Sequence, residues 1–386
     1  MAVLFLVVFV DLVGFGLLIP LLPFYVQRTG AGPEVITLVL GLYSLAQFVA
    51  APFWGRLSDR YGRKPILGMT CVGLSLSYAL LAFADSLALV LASRILGGLM
   101  AGNIAAAQAY VADVTAPEAR AKGMGILGAA LGLGFIVGPT IGGVLAGSSV
   151  EGADYRAPAL AAMTLSIAAA IGVALFLKES LPKDARQNRD TRATWREKRD
   201  AALQRHALLM LVATGFLVIT AWAQFETVFA LWVNTAFAFG PREIGLVFGF
   251  MGAVHVVVQG LFIGALTRRF GERRLAIIAV VLFIAGYVAV AASPDLPTLI
   301  ASCTALALAS AIFNPAVTSL VSQEAARGER GAVMGAYQGA TALGRVAGPA
   351  FSGTLYAAGT VLPYLVAAAL AAPALALIAL AQRRQK

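Results

Sequence analysis

The chain is a succession of apolar runs broken by short polar turns, and each run is close to the length needed to cross a bilayer. A spanning helix takes about 20 apolar residues. Lipid offers no water to bond, so a spanning segment must satisfy its own N–H and C=O groups, as a helix does. Runs at 1–26, 35–57, 65–84, 87–111, 122–147, 157–177, 207–237, 242–267, 275–292, 296–321, 332–356 and 361–381 predict twelve helices. The first run carries Asp11, has no basic leader and continues to Tyr25. It reads as a membrane helix rather than a cleaved signal. Charged residues make up 12% of the chain and hydrophobic ones 60%, against about 25% and 45–50% in soluble domains. That excludes a soluble enzyme or nucleic-acid-binding protein.

One long polar stretch, 178–205, divides the twelve runs six and six. The predicted domains are therefore a bundle at 1–178, a linker at 179–205 and a bundle at 206–386. Of the 29 Lys and Arg residues, 24 fall on alternate loops and the C-terminal tail, three on the opposite loops, and Arg94 and Arg345 within helices. This asymmetry places both termini in the cytoplasm, with the chain multi-pass in the inner membrane. It also accounts for the net charge of +10 without an anionic soluble partner. The halves repeat at a nearly constant offset. Gly55 and Gly62 recur as Gly264 and Gly271. Arg120, Met124-Gly125 and Gly138-Pro139 recur as Arg330, Met334-Gly335 and Gly348-Pro349. Parallel six-helix repeats are the pattern of rocking-bundle transporters.

The residues with chemistry cluster in a few helices. Gly55-Arg56-Leu57-Ser58-Asp59-Arg60-Tyr61-Gly62-Arg63-Lys64-Pro65 joins the second and third helices. Two glycines allow a tight reversal, and Asp59 among cations can latch one conformation and release in another. The second copy keeps Gly264, Arg269, Gly271 and Arg274 but has Arg268 where Asp59 would be. In the fifth helix Gly134, Gly138 and Gly142 recur every four residues, with Pro139 and Gly143 beside them. That small face permits close helix approach, and Pro139 permits a bend. Asp11 and Glu226 are carboxylates inside spans, which are costly and tend to be functional. The alternative is a structural pairing within the bundle. Trp222, Phe225 and Phe229 surround Glu226 in sequence, an arrangement suited to a lipophilic cation.

Together these motifs resemble the major facilitator superfamily, over nearly the whole chain. Gly55, Asp59, Arg60, Gly62 and Arg63 resemble its motif A. Ser93-Arg94 through Gly98 resembles motif B, whose arginine is associated with proton coupling. Gly134 to Gly143 resembles motif C, the antiporter signature. The region 1–147 is most similar to the tetracycline-resistance branch, and Phe225-Glu226-Thr227 resembles the seventh helix of Gram-positive multidrug pumps. The resemblance implies an all-α fold of twelve helices in two pseudo-symmetric six-helix bundles. It implies export of lipophilic or cationic drugs in exchange for protons, with Asp11, Glu226, Arg94 and His255 handling protons. Gln47, Asn103, Trp222, Phe225, Phe229 and Gln259 would meet substrate. His255 aligns with Gln47 across the repeat and matches a histidine of tetracycline pumps, although a lone histidine can equally be a packing group. Arg345 reads as a second buried cation whose acid is not evident.

Two departures count against tetracycline as the dedicated substrate: Ser77 stands where those pumps carry an acid, and 275–292 contains none. A metabolite or sugar exporter on the same scaffold remains an alternative, as does a transport-inactive sensor or assembly protein. No nucleophile–base pair, nucleotide loop or metal cluster is evident, and Cys71, Cys303, His206 and His255 lie far apart. The expected driving force is a proton gradient, with no cofactor, metal or nucleic acid. The expected partners are a small substrate, protons and lipids, and the expected state is a monomer.

Overall fold

In a computed structural model, residues 2–115, 120–181, 206–324 and 330–381 are described. The basic stretch from 182 to 205 lies outside them. The helices are α1 (Ala2–Leu18), α2 (Leu22–Gln27), α3 (Pro33–Tyr61), α4 (Arg63–Ala82), α5 (Leu87–Met100), α6 (Asn103–Val114), α7 (Arg120–Ala146) and α8 (Arg156–Phe176). They continue as α9 (His206–Phe237), α10 (Pro241–Val257), α11 (Ile263–Ala291), α12 (Leu296–Gln323), α13 (Arg330–Ala358) and α14 (Leu362–Ala381). A π-helical stretch, Val258–Phe262, joins α10 to α11.

Among the described residues, seven helices are long and apolar enough to cross a membrane by length and composition. Shorter apolar helices lie at Leu4–Leu18, Leu87–Met100 and Gly132–Ala146. Together they cover every predicted run except 332–356, which is the Gly-rich helix α13. Pro241–Ala291 forms one span of 51 residues, divided at Gly271, where φ is +74° and ψ 155°. Gly62, its counterpart in the first half, ends α3 with φ +107° and ψ 163°. Both breaks use backbone that an L side chain rarely adopts.

Other breaks have local causes. The first run divides at Ile19-Pro20-Leu21 into α1 and α2, because proline interrupts the hydrogen-bond ladder. The fourth divides at Ala101-Gly102, where Gly102 lies so close to the Trp54 indole that a Cβ would overlap it. Asp295 caps α12 by accepting from the Thr298 amide at 3.0 Å. That contact and the Thr298 hydroxyl hold its carboxyl below the usual carboxylate range.

The chain forms two compact units: Met1–Arg189 with Val233–Gly252, and Asp190–Trp232 with Ala253–Lys386. Val233–Gly252, which a division at 179–205 assigns to the second bundle, thus packs with the first unit. The first unit's core joins Leu4, Val7 and Val8 of α1 to Ile66, Leu67 and Cys71 of α4 and to Val111 of α6. The second unit's core joins Ala276, Val280 and Phe283 of α11 to Leu299, Cys303 and Leu306 of α12.

Glycines set the closest helix contacts. A Cβ on Gly138 would stand 2.7 Å from the Gly16 Cα, and one on Gly142 would overlap the Leu17 carbonyl. Gly134 meets Leu12 in the same way. The motif C face therefore seats α7 on α1. Gly143 turns elsewhere, against Pro241, Arg242 and Gly245 of α10. In the second unit, a Cβ on Gly348 would stand 2.7 Å from the Thr220 carbonyl, and one on Gly344 would stand 2.9 Å from that of Phe216. Hence α13 meets α9 as α7 meets α1. Gly138→Val is expected to lower the thermal midpoint of purified protein by several degrees, in line with about 1–3 kcal/mol for overpacking. Gly172, whose Cβ position is open, should accept alanine with little change. Thermal unfolding followed by size-exclusion fluorescence measures both.

Candidate functional site

Each unit carries its own set of polar side chains within the spans. In the first, Asp11 on α1 is 8% exposed and Arg94 on α5 is 3% exposed. The fields of both reach the rings of Tyr43 on α3 and Tyr78 on α4. Arg94 Nε lies 3.4 Å from Ser93 Oγ, and its Cζ stands 5.8 Å from the centre of the Tyr43 ring. Ser77, which stands in place of an acid, is fully buried and donates to the Ser93 carbonyl at 2.7 Å. It ties α4 to α5.

In the second unit, Glu226 and Trp222 are one turn apart on α9 and both half-buried. The Trp222 indole lies beside the Glu226 carboxylate, and the charge of Arg345 on α13 acts on the same carboxylate. The acid that Arg345 lacks in the sequence is therefore Glu226. Arg345, expected to be buried, is exposed to solvent in this structure.

Phe225 and Phe229, expected to meet substrate, lie in the core of this structure. Both are 0% exposed. Their ring centres stand 4.9 Å apart, and the Phe225 ring also packs against Tyr287 and Tyr364. The half-buried Trp222 ring packs on the edge of the same cluster, 5.4 Å from the Phe225 ring centre and 5.8 Å from that of Phe283. Trp222 alone of the three aromatics stays with the acid.

His255 Nδ1 lies 3.0 Å from Ser310 Oγ. Gln47 Nε2 donates to the Ala101 carbonyl at 3.4 Å, and Gln259 Nε2 to the Ala311 carbonyl at 3.4 Å. Ala101 and Ala311 are counterparts in the two halves, so the residue that takes the bonding role of Gln47 across the repeat is Gln259, not His255. Gln259 also lies in the π turn Val258–Phe262; such turns concentrate at functional positions. Asn103 begins α6, and its side chain lies outside the described residues.

The motif A residues assemble into a network. Arg63, 3% exposed, bonds Asp59 at 2.7 Å, Asp113 of α6 at 3.0 Å and Ser58 Oγ at 2.5 Å. Glu179 accepts from the Arg63 amide at 2.9 Å and caps the start of α4. Arg60 is exposed beside Tyr61. Gly55 lies inside α3 with open space at its Cβ, so the reversal rests on Gly62 and not on both glycines. Asp113 and Glu179 are members of this network that the sequence motifs do not include. Both are acids at helix ends on the same side as Asp59, and that shared side was the signal available.

The sequence profile of the Major Facilitator Superfamily matches residues 4–261 and 211–386. The chain belongs to that superfamily of membrane transporters and is not an enzyme. It is 30% identical to multidrug resistance protein 2 of Bacillus subtilis, covering 93% of this chain and 89% of the relative. It is also 30% identical to the class C tetracycline resistance protein of Escherichia coli, covering 90% and 87%. The crystal structure of the human organic anion transporter MFSD10 superposes with a TM-score of 0.74 at 26% identity, covering 98% of both chains.

Removing Arg63 leaves Asp113 and Asp59 facing each other without a cation. Arg63→Ala is expected to destabilise the protein by about 3 kcal/mol, the low end for a broken buried pair because Asp59 is half-exposed. Arg60→Ala should stay within about 0.5 kcal/mol. Denaturant unfolding of the two variants separates the buried contact from simple surface charge.

Proposed function

We propose that this transporter exports lipophilic, chiefly cationic drugs in exchange for protons, by alternating access of bundles 1–178 and 206–386 about the linker 179–205. It would work as a monomer in the inner membrane with both termini cytoplasmic. The observation that carries the reading is a half-buried carboxylate inside a span, Glu226, one turn from the Trp222 ring and within the field of Arg345. A carboxylate there has three competing partners: the guanidinium of α13, a proton, or a cationic substrate beside an aromatic ring. Competition for one carboxylate is the simplest basis for exchange, because substrate and proton exclude each other. Asp11 would carry a second proton, and Arg94 would tune it through Tyr43 and Tyr78. The Asp59–Arg63–Asp113 network would latch one conformation. Gly143 against α10 would hold a second contact closed.

The names of the relatives support drug export as a class, while the tetracycline specificity of some is disfavoured by Ser77. A second reading, export of organic anions, is favoured by two arginines within the spans and by the likeness to the organic anion transporter MFSD10. A metabolite or sugar as cargo has no observation of its own here.

The test is proton flux in sealed liposomes under an imposed pH gradient. Ethidium should trigger proton movement in the wild type. Glu226→Gln should reduce it at least tenfold, and Asp11→Asn less. Gly143→Leu should slow turnover with ethidium still binding. Failure of ethidium, a tetracycline and a sugar alike to move protons in folded wild-type protein overturns the reading.

A further inference from the structure

Arg94 stands at the wall of a cavity that the proton-coupling account does not use. Phe15, Leu18, Leu22, Tyr43, Ser44 and Arg94 are among its lining residues, all in the first unit, and it measures about 350 Å³ counted to its open mouth. The lining is apolar apart from Tyr43, Ser44 and one cation. That cation is 3% exposed, and its Nη2 has no hydrogen-bond partner. Among the described residues no carboxylate lies within ion-pair distance of it. A guanidinium offers five donors in a rigid fork. Here the fork is engaged only by Ser93 Oγ at 3.4 Å and by the face of Tyr43. Structural arginines in a low-dielectric interior are ordinarily paired with an acid. This one keeps a donor unfilled beside an apolar space.

We infer that the cavity is a subsite for an organic carboxylate, whose oxygens take the free edge of Arg94 while its apolar body lies against the Phe15–Tyr43 wall and the neighbouring leucines. Three features select that chemistry. A planar carboxylate matches the guanidinium fork in two bonds. Phe15 and Tyr43 stand with ring centres 5.2 Å apart and offer an aromatic wall. The remaining lining, Leu18, Ile19, Leu22 and Leu40, is aliphatic and suits a hydrocarbon body. The subsite deepens the export reading by adding carboxylate-bearing compounds, zwitterions included, to the cations that Glu226 attracts, and it rests on that reading only for what is transported.

The carboxylate could belong to a drug-like acid or to a membrane fatty acid, and two probes separate these. Equilibrium binding of 4-butylbenzoate and of dodecanoate to purified wild-type protein is compared with binding of their carboxamides, without any gradient. At least one acid should bind tenfold or more tighter than its amide, and the tighter acid names the source. Arg94→Gln should abolish that preference. Ser44→Trp, which keeps the cation and fills the cavity, should abolish it too and serves if Arg94→Gln does not fold. Equal binding of acid and amide overturns the inference, as does a preference that survives both variants or is lost only in Arg345→Gln. Ethidium-driven proton flux in the wild type is scored separately, so a failed subsite and a failed exporter give different results.

Discussion

In each unit one helix rests on the backbone of another with no side chain between them. Between α7 and α1 the contact runs through Gly134, Gly138 and Gly142; between α13 and α9 it runs through Gly344 and Gly348. Lipid supplies no hydrophobic drive for helices to associate, so close van der Waals contact must do so. These glycines also decide where the charges lie. The helices they hold, α1 and α9, are the ones that carry Asp11 and Glu226. Arg345 follows Gly344 directly, so the contact that brings α13 onto α9 also brings the guanidinium to the carboxylate. At the corresponding position of the first half, directly after Gly134, stands Phe135, edge-on to Phe15 at 6.2 Å. One packing solution thus supports a charge interaction in the second unit and an aromatic contact in the first.

The helical segments were legible because apolar run length is a coarse, cooperative signal. The glycine face of the fifth helix was legible too, since its four-residue spacing is a property of the helix, while Gly344 of the second face went unread. What stayed hidden depended on rotation or register. Phe225 and Phe229 flank the acid closely in sequence, and only neighbours such as Tyr287 and Tyr364 decide which face of α9 is inside. Gln259 stands one helical turn beyond the aligned position His255, and alignment of the halves alone does not show that it takes the bond of Gln47. Gly55 and Gly62 look alike in sequence, but only one carries positive φ. Arg345 announced a missing acid, and finding it required knowing which helix crosses α13.

The two copies of the loop between the second and third helices show what a repeat can lose while its backbone remains. Gly62 and Gly271 adopt the same unusual conformation. Lys64 donates to the Ala174 carbonyl at 2.8 Å, and Arg273, its counterpart in the second half, donates to the Ala379 carbonyl at 2.7 Å. Both cations therefore cap the last helix of their half, a role set by the dipole of that helix. The acidic partners diverge. Asp59 and Arg63 become Arg268 and Glu272, with the signs exchanged, and Glu272 accepts from Ser319 at 3.3 Å where Arg63 holds two aspartates. A hydroxyl contact is weaker than two charge-assisted bonds to a buried guanidinium. A conformational change that parts these loops would therefore meet most of its resistance at Arg63. The first copy is built to hold, and the second keeps the geometry of a reversal with less to break.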